Sequence, residues 1–74
     1  MRFPFLPRPS REELASAPLH AIVRDYPETL EDLLFHGVEP AEHADRLIDD
    51  FEDRERILDD LEVSTAWRPA PAEA

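Results

Sequence analysis

A chain of 74 residues with eighteen acidic side chains against eight basic ones carries a formal charge of −10. It is long enough for one small core but not for a large catalytic cleft, and too acidic to seek a phosphate backbone, so nucleic acid is not an expected partner. Cysteine is absent, which removes disulfides, thiolate nucleophiles and cysteine-held metal centres and fits a cytoplasmic setting better than secretion; a single glycine closes the Gly-rich phosphate loops.

Residues 1–9 read as a proline-punctuated arm whose Phe3, Phe5 and Leu6 are apolar enough to pack across a core or to act as a recognition segment. Three prolines interrupt the opening MRFPFLPRPSR, which leaves no continuous apolar run of signal-peptide length, and nothing further along reaches membrane-spanning length. Residues 10–63 form the expected helical domain. Ser10 and Glu13 have the S-x-x-E spacing of a capping box, so a short helix should follow over about 11–15. Ser16 is placed to cap the next helix, with Pro18 in its first turn and Leu19, Ile22, Val23 and Tyr26 along one stripe.

Pro27 disfavours helical torsions at Tyr26 and suits the start of a new helix, expected over 27–36 with Leu30, Leu33 and Leu34 facing the core. Gly37 should end it in the left-handed conformation. Pro40 then opens a third helix with the stripe Ala44, Leu47, Ile48 and Phe51, supported by ion pairs Glu42–Arg46, Asp50–Arg54 and Glu52–Arg56. Propensity alone permits one helix over 41–62. A break near 51–53, with Asp53 capping a last helix that buries Ile57, Leu58 and Leu61, gives a more compact core and is the reading adopted. Residues 64–74 read as a Pro/Ala-rich tail, free except where Trp67 finds an apolar surface. The fold expected is therefore all-α: a compact array of four to five short helices with proline-rich arms.

The segment from Ile22 to Val38, IVRDYPETLEDLLFHGV, resembles the small helical domains known as hybrid-cluster-protein-associated redox disulfide domains, a family of unknown function. The likeness covers about a quarter of the chain. It implies a turn between the last two helices. Members commonly carry cysteines after the glycine, where this chain has Val38, Glu39, Pro40, Ala41 and Glu42, so the redox chemistry of the family name has no counterpart here.

The expected binding surface is built from Tyr26, Phe35, His36 and Val38 around the glycine turn, with Phe51 and Trp67 as further contributors and Pro27 and Gly37 as the structural corner. His36 and Glu39 are both expected to be exposed there. No catalytic residues are expected: adjacent carboxylates such as Asp49-Asp50, Asp59-Asp60 and Glu12-Glu13 point about 100° apart on a helix, and no serine or threonine has a histidine placed as its base. No metal or cofactor is expected either. The alternative is a metal- or haem-associated accessory protein in redox or nitrogen-oxide metabolism, with His36, His43 and Glu39 as ligands, although that spacing matches no established motif and a histidine at a helix C-terminus has a structural reason of its own.

These features point to a non-enzymatic helical interaction domain that acts through a protein partner or as a homo-oligomer, with no membrane role. An acidic decoy for a DNA-binding protein is a weaker reading, because arginines are interleaved with the acids. Absence of lysine, asparagine and glutamine beside eight prolines fits a thermophilic source, or simply a GC-rich genome.

Overall fold

The computed structural model describes residues 6–70. The expected Phe3 and Phe5 contacts and the end of the tail lie outside that range. Four α-helices and one 3₁₀ turn follow in order: α1 Arg11–Ser16, α2 Leu19–Asp25, α3 Thr29–Phe35, the 3₁₀ turn Ile48–Asp50 and α4 Arg54–Ser64. The all-α expectation holds.

The Ser10 capping box forms as its spacing predicts: the Glu13 N–H donates to Ser10 Oγ at 3.0 Å and the Ser10 N–H reaches back to Glu13 Oε1. Ser16 does not cap α2. Its hydroxyl turns back to the Glu12 carbonyl at 2.9 Å, and Pro18 occupies the cap position instead. The free N–H groups of Leu19 and His20 donate to the carbonyls of Arg46 and Ala44, at 2.9 and 3.1 Å. Chain from the distant 39–47 segment thus satisfies a helix start that its own sequence leaves open.

That demand also explains why the expected third helix is missing. The carbonyls of Ala44 and Arg46 are aimed at α2 and not along a helix axis of their own; residues 39–46 fold into tight turns and Leu47 is extended, bridging Pro18. The apolar residues of the lost stripe are still covered: Ile48 is buried from the 3₁₀ turn, and Phe51 packs against the core. None of the three expected ion pairs forms. Arg46 lies over the Phe51 ring, Asp50 accepts from the Leu47 N–H, and Arg54 approaches Asp49 at 3.8 Å. The break before the last helix is present, with Asp53 at the cap position but without a side-chain cap bond.

α3 is shorter than expected, because Pro27 and Glu28 belong to a turn and Thr29 starts the helix. Its end is a complete Schellman motif. Gly37 has φ +76°, its N–H bonds to the Leu34 carbonyl at 2.9 Å, and the Val38 N–H bonds to Leu33 at 2.8 Å. Val38 and Leu33 are both buried, the apolar contact that accompanies such caps. The core they join contains Leu14, Leu19, Ile22, Ile48, Ile57, Leu58 and Leu61. Thr29 and Thr65 sit in it because their hydroxyls bond back to the Tyr26 and Leu61 carbonyls, leaving only methyl groups to bury.

Candidate functional site

Three polar contacts join α3 and its entry turn to α4 and the segment after it. Glu28 pairs with Arg68, Asp32 accepts from the Ser64 hydroxyl, and His36 Nε2 lies 2.6 Å from Asp60 Oδ2. The numbers fall by four on one side as they rise by four on the other, one helical turn per step, so the two helices run antiparallel in a fixed register. Residues 28, 32 and 36 are committed to this seam. The core side of α3 is therefore Thr29 and Leu33, and the solvent side is Leu30, Glu31, Leu34 and Phe35.

This rotation corrects two expectations. Leu34, expected in the core, is 48% exposed, and Leu30 is exposed beside it. Phe35 is 83% exposed, the most open of the large apolar side chains described, with its ring edge-on to His36 at 5.4 Å between centroids. His36 was expected to be open; its side chain keeps only 11% of its surface and is held by Asp60. At 2.6 Å from a carboxylate oxygen, Nε2 must carry the hydrogen.

The other expected surface residues are scattered. Val38 lies in the core and offers no surface to a partner. Phe51 is half-buried against His43, 5.9 Å between ring centroids, in the loop that serves α2. Tyr26 and Trp67 stand at the far end of the seam from Phe35, where the Arg68 guanidinium lies between their rings, 4.8 Å from one and 4.6 Å from the other. Arg68 is buried, donates two bonds to Glu28 at 2.6 and 2.7 Å, and gives a third to the Leu6 carbonyl at 3.0 Å. Burial works to raise the Glu28 carboxyl, but hydrogen bonds from Arg68, the backbone and Trp67 together hold it below its ordinary range. Desolvation, with the negative charges of Glu13 and Asp25, pushes the Tyr26 hydroxyl the other way, upward.

Arg68 was missed because its segment reads as a tail. Residues 64–70 are instead ordered against the body of the fold: Thr65 is buried, the Arg8 N–H donates to Pro69 at 2.8 Å, and the Arg8 guanidinium reaches the Ala66 and Arg68 carbonyls. The one hint available in sequence was a WRP triplet close behind an amphipathic helix, an aromatic and a cation that can stack.

On the opposite flank of α4, Arg11 bonds Glu55, Asp59 and Glu62, which lie at helical spacing on one face. Its guanidinium is held protonated beyond its ordinary range, first by the Asp59 bond and then by those to Glu62 and Glu55. Asp59 and Asp60, adjacent in sequence, thus serve different neighbours. Among the described residues no three His, Cys, Asp or Glu side chains converge as a metal site, so His36, His43 and Glu39 do not form the ligand set considered from sequence. The surface of the described residues includes two depressions. One of about 90 Å³ is lined by Pro9, Glu13, Leu14, Ala17, Ala21, Ile22, Asp25 and Tyr26, and one of about 320 Å³ by Leu6, Arg24, Asp25, Pro27, Glu28, Trp67 and Arg68. Neither is lined by a histidine, serine or threonine.

No family model matches the chain, and no curated protein or solved structure matches it. Among the described residues no helix is long and apolar enough to cross a membrane.

Proposed function

We propose that this chain is a non-enzymatic helical interaction domain that engages a protein, another or a second copy of itself, through the solvent side of α3. The observation that carries the reading is the exposure of Phe35 beside Leu34 and Leu30 on a helix whose Asp32, with Glu28 and His36 at its two ends, is turned to the seam. A surface helix ordinarily does the reverse, presenting polar residues to water and apolar ones to the core. His36 and Asp60, beside Phe35, are engaged with each other in holding the fold, which favours a docking role over catalysis. A cytoplasmic setting is part of the reading, since the chain has no cysteine with which to staple so small a core. The likeness of residues 22–38 to hybrid-cluster-associated domains is compatible with an accessory role but does not carry it.

The test compares native protein with Phe35→Ser in co-purification and in solution mass. Native protein should recover a partner or form a larger species that the variant loses, at an unchanged melting temperature. A strictly monomeric native protein with no Phe35-dependent partner would overturn the proposal.

A further inference from the structure

We infer that the solvent side of α3 docks a short basic amphipathic helix, with apolar side chains on one face and lysine or arginine around them. This rests on the interaction reading above and names the chemistry of the partner. Four observations support it. The outward face of α3 is three apolar residues, Leu30, Leu34 and Phe35, with one charge, Glu31, among them. The acidic Asp60 borders the same end of the helix with its side chain 46% exposed, α3 itself carries no basic residue, and the whole chain has a charge of −10. An apolar patch set in negative potential is complementary to an apolar stripe set in positive potential.

A second copy fits this face less well. Two copies would bring two chains of charge −10 and two Glu31 side chains together. The patch is also small: α3 has seven residues, so it is about 10 Å long and about 10 Å across, and its one outward face supplies on the order of 100 Å² against the roughly 800 Å² per partner typical of stable association. A short segment with few anchors and salt-sensitive, weak binding is what such a surface accommodates.

The experiment uses the full 74-residue chain, isotope-labelled and titrated with synthetic peptides while amide resonances are followed. The probe is a leucine–lysine peptide of about 14 residues with leucines at helical i, i+3, i+4, i+7 spacing; its controls are a scramble of equal composition and a leucine–glutamate analogue. The patterned lysine peptide should perturb residues 30–36, bind about tenfold or more tightly than the scramble, weaken with salt and lose about tenfold on Phe35→Ser, but not on Val63→Ser at the exposed α4 position. Equal binding of the scramble, or indifference to Phe35→Ser, would reduce the effect to bulk charge and overturn the inference. Phe35-dependent binding of the glutamate peptide, or Phe35-dependent self-association without lysine-peptide binding, would also overturn it while leaving the broader docking role standing. Loss of both would remove the two together.

Discussion

At the scale of single residues, Arg68 is the side chain with most depending on it. Its two bonds to Glu28 are part-buried, so Arg68→Ala leaves a largely covered carboxylate unpaired, a loss at or below the roughly 3–5 kcal/mol of a fully buried pair, measured by denaturant unfolding. Arg68→Lys should recover little, because an ammonium supplies neither the fork nor the flat surface that stacks between Tyr26 and Trp67. The pair also sets an acid limb. Because the Glu28 carboxyl titrates below its ordinary value of 4.5 when folded, its contribution is complete above that value and disappears as pH falls through the depressed one. Urea midpoints of native protein and Glu28→Gln should therefore differ at neutral pH and converge in acid; a constant gap would contradict the assignment. Gly37 behaves differently. A Cβ there meets nothing within 4 Å, so Gly37→Ala suffers only the left-handed backbone penalty of about 1–2 kcal/mol, Gly37→Asn less, and Gly37→Val more.

At the scale of elements, α3 shows how much periodicity reveals and where it stops. Its existence, its glycine terminus and the corner at Pro27 were legible, because each depends on backbone rules local to a few residues. Its rotation was not. Leu30, Leu33 and Leu34 make as good a stripe as Thr29 and Leu33, and only the partners of Glu28, Asp32 and His36, all far along the chain, choose between them. Leu33→Ala should therefore cost about 2–5 kcal/mol while Leu34→Ala stays within about 0.5 kcal/mol, a contrast that thermal melts resolve easily. The same logic covers the helix that never formed over 40–51: its stripe was real, but the carbonyls of Ala44 and Arg46 were needed at α2. Of the candidate surface, Phe35 stands open, whereas Val38 is in the core and His36 is largely covered, because a residue beside a turn can face either way until the turn has something to pack on. His36→Ala and Asp60→Ala, singly and together, should show a coupling of about 0.5–3 kcal/mol in a double-mutant cycle, where exposed side chains would show almost none.

At the scale of the whole molecule, the segment after α4 is what closes the structure, tied to the first described residues through Arg8 and to the middle of the chain through Arg68. Removing residues 65–74 should deprive the core of Thr65 and leave Glu28 unpaired, so loss of a cooperative melt is expected in a domain whose total stability is on the order of 5 kcal/mol. The antiparallel seam has a further consequence, which concerns time and not stability. Its three contacts close chain loops of 24, 32 and 40 residues in turn, from His36–Asp60 through Asp32–Ser64 to Glu28–Arg68. Closing the longest of these first costs about 0.5 kcal/mol more in chain entropy than closing the shortest, and each contact made shortens the search for the next. The seam is thus arranged to zip from the glycine turn outward and to open from the Arg68 end. Stopped-flow chevrons should accordingly show Asp60→Ala slowing refolding and Arg68→Met acting mainly by hastening unfolding, so that the side chain with the greatest share of the equilibrium arrives last.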